Sequence, residues 1–297
     1  MALVPVACGG GDSKKAARDE PTQSAAASPT SRAASVALET VTINKSFWHA
    51  GWKVTLDEAS AADAEVAIDA TFENLGDDTS TFDSQLVLTA DGENYTESTF
   101  DQDLPQVPGN LKGKGKITFQ VDDTFSFDDA ALIVGNPKNN QAIVPIGASA
   151  TEKLVTLEPV ILPITGSATA GAVTLNVTGV EVRADMPEKH SITEKGKKLI
   201  IVKFSATVGS GIPIGEGVLQ DPNVALKLPD GTAVAVRSDG VSGVNELLQG
   251  KEGTTISDLS VRFEVPDPVK GNYAFVVRGK YVADRSTAEG ELPFTVP

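Results

Sequence analysis

The two histidines of the chain, His49 and His190, are the side chains best suited to acid–base chemistry near neutral pH. A serine hydrolase needs a nucleophile within hydrogen-bond reach of such a base, and no Gly-x-Ser-x-Gly motif accompanies either histidine. A zinc site needs clustered histidines and cysteines, and the chain has a single cysteine. Both histidines are therefore interpreted as solvated loop residues. The sequence predicts a protein that is not an enzyme and that needs no metal or cofactor.

The single cysteine, Cys8, follows the apolar run Ala2–Ala7 and precedes three glycines. This arrangement resembles the end of a bacterial lipoprotein signal peptide, in which the cysteine carries the lipid. The modification attaches two or more acyl chains, which is what stable membrane anchoring requires. The sequence therefore predicts an extracytoplasmic protein that is anchored to the bacterial cell membrane through a lipid on Cys8. The alternative is a cytoplasmic protein with one unmodified surface thiol.

Residues 9–36 form a segment of unusual composition. From Gly9 to Ser35 it contains no valine, leucine, isoleucine, methionine or aromatic residue. Such a segment cannot bury enough apolar surface to offset the entropy lost on ordering. Residues 1–36 are therefore predicted to comprise the signal-peptide remnant, the lipobox-like cysteine and a disordered tether.

The overall charge limits the classes of partner. The chain has 25 Lys and Arg residues against 40 Asp and Glu residues, a net charge of −15. Nucleic acids and anionic lipid surfaces attract basic proteins, so this balance argues against nucleic-acid binding and against direct adsorption to such lipids.

The remainder of the sequence has the two-residue periodicity of β-strands. Apolar and polar residues alternate over 52–57, 65–73 and 116–122, which is typical of strands with one buried and one solvated face. Turn-forming sequences separate these segments, for example Asp91-Gly92. The pattern predicts an all-β, antiparallel protein of the sandwich or barrel type.

An internal repeat divides the folded part into two similar halves. Segments match in the same order along the chain: 50–56 with 170–175, 66–72 with 200–206, 86–92 with 225–231, 113–121 with 253–265, 132–135 with 275–279, and 143–146 with 291–294. We therefore predict two tandem domains, 37–150 and 159–297, joined by a linker at 151–158.

Three features resemble a known family: the strand that ends in Asn74-Leu75-Gly76-Asp77, the Asp91-Gly92 hairpin and the Gly-Lys-Gly-Lys-Ile-Thr-Phe run at 113–119. Each half resembles the telokin-like, immunoglobulin-like domain of bacterial lipoproteins of uncharacterised function. The resemblance is stronger for 37–150 than for 159–297. It implies two tandem immunoglobulin-like antiparallel β-sandwiches, and it brings no catalytic residues.

The aromatic group Phe47, Trp48 and Trp52 is the best candidate for a partner-binding site, because tryptophan is enriched at binding hot spots. The alternative is that these side chains fill one end of the first domain. Trp52 lies on the alternating strand with Val54 and Leu56 and is expected in the core. Trp48 is aligned with Ala168 of the second copy.

Taken together, these features predict a non-catalytic cell-envelope protein that acts as a binding or structural module for a protein or a wall polymer. The alternative function is an extracytoplasmic carrier of a small ligand or metal ion, with its site at the domain junction. Weak calcium binding by acidic loops of the first domain also stays open; the carboxylates concerned are Asp77, Asp78, Asp83, Asp91, Glu93, Asp101 and Asp103.

Overall fold

The computed structural model describes residues 38–97, 102–210, 217–238, 243–248, 253–279 and 288–297, without the side chains of residues 217–218 and 246–248. In these residues every regular element is an antiparallel strand, apart from two short 3-10 turns, Pro187–Lys189 and Asp221–Asn223. The all-β prediction is thus confirmed. No helix in the described part of the chain is long and apolar enough to span a membrane.

The first half contributes ten strands: β1 (Glu39–His49), β2 (Trp52–Ala62), β3 (Glu65–Asn74), β4 (Ser80–Thr81), β5 (Leu86–Ala90), β6 (Glu93–Thr96), β7 (Gln106–Val107), β8 (Lys112–Gln120), β9 (Ala131–Val134) and β10 (Ala142–Pro145). They form one sheet in the order β1-β2-β3-β8, a second in the order β10-β9-β5-β6, and the short pair β4-β7.

Residue alternation explains why these segments form strands. In β3, Val66, Ile68, Ala70 and Phe72 are all buried, and the residues between them are partly or fully exposed. The β5–β6 hairpin closes through Asp91 and Gly92, whose φ angles are 50° and 80°. Two consecutive positive φ angles characterise the tight turn that matches the twist of a hairpin.

The second half contributes thirteen strands: β11 (Val160–Leu162), β12 (Gly166–Ala170), β13 (Val173–Arg183), β14 (Asp185–Met186), β15 (Ser191–Ile192), β16 (Lys197–Val208), β17 (Gly217–Gln220), β18 (Val224–Lys227), β19 (Ala233–Ala235), β20 (Asn245–Leu248), β21 (Thr255–Pro266), β22 (Gly271–Gly279) and β23 (Ala288–Val296). The main sheets have the orders β11-β13-β16-β21, with β12 also paired to β13, and β19-β18-β22-β23.

The two halves share one order of strand pairing. In each half, two long strands form a hairpin, and a third long strand pairs with the second strand of that hairpin. The orders are β2-β3-β8 in the first half and β13-β16-β21 in the second. The other sheet reads β10-β9-β5-β6 in the first half and β23-β22-β18-β19 in the second. Each half has its own buried apolar cluster, drawn from both of its large sheets, over 43–146 in the first half and 162–296 in the second.

The segment 151–158 pairs with strands of the first half. Val155 forms two backbone hydrogen bonds with Ile143 of β10, both of 2.9 Å, and the carbonyl of Thr156 accepts a bond of 2.7 Å from the Trp48 amide of β1. The linker is therefore part of the first half's hydrogen-bonded structure. All described residues belong to one compact unit, Val36–Pro297.

Candidate functional site

The aromatic group divides into buried and accessible members. Phe47 and Trp52 are 0% and 1% exposed, and their rings pack edge-on against Phe82 at centroid distances of 6.4 and 6.1 Å. Trp48 is partly exposed, and the Lys53 ammonium lies 4.9 Å from its ring centroid. Of the three, only Trp48 presents surface that a partner can reach without rearrangement of the core.

The pairing register corrects the alignment of Trp48 with Ala168. Phe47 pairs with Val54 across the β1–β2 hairpin, and Ala168 pairs with Leu175 across the β12–β13 hairpin. Because a two-residue turn closes each hairpin, Ala168 corresponds to Phe47 and Thr169 to Trp48. Trp48 and Thr169 both face outward, so the outward position of Trp48 follows from the fold.

A group of buried polar side chains, which includes His49, Asn140, Asp185 and Thr193, lies where the two halves meet. The second half supplies residues 184–196, here named the junction arm, which connect β13 to β16 and include β14, the first 3-10 turn and β15. The equivalent connection in the first half, between β2 and β3, is only Asp63-Ala64. Met186 of the arm packs on Leu199 and Ile201.

Asn140 of the first half forms hydrogen bonds with the arm through both its backbone and its side chain. Its amide donates to the Thr193 carbonyl (3.1 Å), and its Nδ2 lies 2.8 Å from Thr193 Oγ1 and 2.6 Å from the Lys197 carbonyl. The Lys195 amide donates to the Lys138 carbonyl at 2.9 Å. These bonds hold the 138–140 loop on the arm.

Asp185 connects the two halves through a buried charge network. Its Oδ2 accepts a bond of 2.6 Å from the Gly51 amide of the first half, and its Oδ1 accepts one of 2.8 Å from Arg183 Nε. Arg183 Nη1 also donates to Glu181 Oε1 at 2.7 Å. Burial disfavours the charged guanidinium, but the neighbouring carboxylates Asp185, Glu181 and Glu188 outweigh it and raise the pKa of Arg183. The guanidinium of Arg183 therefore stays charged in the junction.

Close backbone contact completes the junction. Gly51 has φ of +80°, and a Cβ atom there would lie 2.7 Å from Pro187 Cα. Glycine allows both the conformation and the contact. The His190 ring lies against Trp52 at a tilt of 33°, with 5.6 Å between the ring centroids.

The prediction that both histidines are solvated loop residues is wrong for His49, whereas His190 lies in a turn and is partly exposed. His49 is 3% exposed, its Nδ1 lies 2.9 Å from Ser84 Oγ, and its Nε2 has no hydrogen bond of normal geometry. His190 is partly buried against Trp52, and its Nδ1 is also buried without a partner among the described residues. The junction arm carries His190 itself, and Pro187 and His190 of the arm pack on Gly51, in the turn next to His49.

Burial lowers the pKa of His49 from its usual 6.5 to about 4, against smaller opposing effects of the Asp185 charge and the Asn140 backbone. Because the unfolded chain binds this proton more readily, stability falls as the pH drops from 6.5 towards 4. We expect His49 alone to cost the folded state about 3 kcal/mol at the acidic end of this range.

Denaturant unfolding of the native chain and of His49→Gln, near neutral pH and near pH 4, checks this expectation. Carboxylates titrate in the same range, so the informative quantity is the difference between the two proteins. An equal loss of stability in both would contradict the assignment.

The His49–Ser84 pair lacks the parts of a hydrolase. In a catalytic triad a carboxylate orients the second ring nitrogen, whereas His49 Nε2 points to Gly135, where a Cβ atom would lie 2.4 Å away. A base with a pKa near 4 is also weak at neutral pH. Within the described residues, no group of three or more His, Cys, Asp or Glu side chains is placed to hold a metal ion.

Two clefts adjoin the histidines. One, of about 160 Å³, is bordered by Trp52, Asp83, Ser84 and His190. The other, of about 380 Å³, is an open groove that borders His49, Asn139 and Ser191. Small-molecule sites typically enclose roughly 300–1,000 Å³.

Two elements of the sequence predictions lie outside the described residues: the lipidation site Cys8 with the tether at 9–36, and the acidic residue Asp101.

The sequence analysis did not predict the junction arm, although the spacing of the repeats contains a signal for it. Ten positions separate Leu56 from Val66, and 25 separate the matched Leu175 from Ile200. The longer connection is the arm.

No protein-family model matches the chain, and no curated protein matches it. Among solved structures, the chain is similar to the conserved domain protein from Bacillus anthracis, with 13% sequence identity and a TM-score of 0.29. The similarity covers 87% of this chain and 92% of that chain. Similarity at this level carries no information on function.

Proposed function

We propose that the protein is a non-catalytic module of the bacterial cell envelope, held to the membrane by a lipid on Cys8, that binds a protein or a wall polymer. In this proposal residues 37–150 and 159–297 are two immunoglobulin-like sandwiches of the telokin-like type, and residues 151–158 connect them. The contribution of two sheets to each core and the repeated strand order support this arrangement.

The main support for the proposal is the hydrogen-bonded junction between the two halves. Asp185 and Asn140 join the two halves by short hydrogen bonds, and the tilted Trp52–His190 ring contact adds to them. A carrier that closes around its ligand needs freedom of movement between its domains, and these contacts oppose such movement. A module that presents one surface in a fixed geometry benefits from them, because less entropy is lost on binding.

The alternative, a carrier with its site at the junction, is favoured by one observation. His49 Nε2, His190 Nδ1 and Ser191 Oγ are buried without hydrogen-bond partners among the described residues. Such groups gain from a ligand or a water molecule that satisfies them. Against this alternative, the enclosed cleft is small and no group of metal ligands is placed around it in the described chain.

Membrane fractionation tests the proposal. We expect the protein, expressed in a bacterium that lipidates exported proteins, to fractionate with membranes and to carry acyl chains on Cys8 by mass spectrometry, because two or more chains anchor durably. Cys8→Ser should be soluble and unmodified. The same extracts, incubated with purified cell walls, report on envelope binding.

Trp48→Ala serves as the control for binding through the accessible aromatic side chain. Equal solubility of the native chain and Cys8→Ser, with no acylation, would remove the anchoring part of the proposal. Failure of Cys8→Ser to bind walls or any envelope protein would remove the binding part.

A further inference from the structure

A cleft of about 460 Å³ lies on the main sheet of the second half, where β13, β16 and β21 run side by side. Its polar lining comes from all three strands: Thr178, Lys203, Ser205, Ser257, Asp258 and Ser260. Leu259 supplies apolar surface, and Phe204, which is 1% exposed, lies beneath the cleft in the core. The cleft shares no lining residue with the junction clefts.

Interrupted pairing on adjacent strands produces the cleft. The β13–β16 register shifts at Thr178, which has no partner on β16. The β16–β21 register shifts between Phe204 and Ala206, which leaves Ser205 facing the unpaired residues Ser257 and Asp258. Such bulges bend strands and redirect side chains, and they occur often beside functional sites. All four residues left out of these registers carry a hydroxyl or a carboxylate.

The first half shows that the fold does not require this arrangement. Its β2–β3 register shifts at Asp57, the sixth residue of β2, just as Thr178 is the sixth residue of β13. The β3–β8 register, however, runs without interruption from Glu65 to Glu73. The row of bulges in the first half thus crosses β1, β2 and β3, because the β1–β2 register also shifts between Thr42 and Lys45, whereas the row in the second half crosses β13, β16 and β21.

The lining defines the chemistry of a ligand. Ser and Thr hydroxyls both donate and accept hydrogen bonds, and the Asp258 carboxylate has no partner among the described residues. Lys203 is paired at 3.3 Å with Glu181, so its charge is already balanced. An anionic ligand would be repelled by Asp258, and a metal cation would need more carboxylate ligands than the described residues place there. A neutral ligand with many hydroxyl groups matches the set.

We propose that this cleft binds a neutral, hydroxyl-rich saccharide, with Asp258 accepting hydrogen bonds from its hydroxyl groups. The inference rests on the proposed envelope function for the source of the glycan. It deepens that function by naming the saccharide part of a wall polymer as the ligand.

Calorimetric titration of the full chain carrying Cys8→Ser with chitotetraose, cellotetraose and maltotetraose tests the inference. We expect saturable binding of at least one of them and about tenfold weaker binding in Asp258→Asn, because a charge-assisted hydrogen bond is lost. Asn tolerates the φ of +60° at this position, so the backbone should persist. Asp57→Asn, at the matching bulge of the first half, is the control and should bind like the parent.

Absence of saturable binding to all three sugars, or equal affinity of Asp258→Asn and its parent, would overturn the inference. Thr178→Val supplies a second test if Asp258→Asn unfolds, since it removes a lining hydroxyl and keeps a β-branched residue. If Asp258→Asn binds walls as strongly as its parent, the cleft is not the wall-binding site, and the proposed envelope function is unaffected. If the protein binds a sugar but neither associates with walls nor carries the lipid anchor, the envelope function is rejected and the proposal of a sugar site in the cleft stands.

Discussion

Replacement of Trp52 by alanine is expected to lower the free energy of unfolding by about 3–5 kcal/mol, the usual loss for a large buried aromatic residue. Trp52 is 1% exposed and contacts Phe82 in the core of the first half and His190 of the junction arm. The substitution therefore removes packing on both sides of the ring. Denaturant unfolding followed by far-UV circular dichroism measures the loss.

Trp48→Ala is the matched control, since Trp48 is partly exposed and its described ring contact is with Lys53. An exposed cation–π contact contributes about 0.5–1 kcal/mol, so the loss should stay near that value. Comparable destabilisation by the two substitutions would show that the burial assigned to Trp52 is wrong.

Asp185→Ala is expected to destabilise the protein by about 3 kcal/mol, the lower end of the usual cost of breaking a buried ion pair, because Glu181 still partly compensates the charge of Arg183. It also removes the acceptor of the Gly51 amide, and with it a direct bond between the halves. Thermal and denaturant unfolding give the size of the loss. Limited proteolysis should show earlier cleavage near the junction arm.

The control for Asp185 is Glu291→Ala, which removes an exposed ion pair with Lys227 at 3.2 Å, with side chains 39% and 45% exposed. Such surface pairs contribute about 0–1 kcal/mol. If Asp185→Ala costs no more than Glu291→Ala, the buried network does not stabilise the junction.

Local patterns predicted the strands well. The alternating segments 52–57, 65–73 and 116–122 lie within or at the ends of β2, β3 and β8, and Asp91-Gly92 forms the turn between β5 and β6. These features depend on residues near one another in sequence, where periodicity and turn chemistry apply directly. The assignment of Trp52 to the core was correct for the same reason.

Features that depend on distant contacts were not predicted. His49 is a polar residue beside a turn, and its burial depends on a junction arm more than 130 residues away, as the separation of Gly51 and Asp185 illustrates. The cleft of the second half depends on strand register, which is defined only when two strands are paired. Hydroxyl residues in a strand, taken alone, do not reveal it.

The pairing of the linker with the first half has a consequence for behaviour at high local concentration. β1 and β10 are the outer strands of their sheets, and unpaired outer strands are the usual starting points for aggregation between molecules. Val155 and Thr156 occupy hydrogen-bonding positions on both strands. In a concentrated sample, a neighbouring copy therefore finds these hydrogen-bonding positions already occupied by the chain itself.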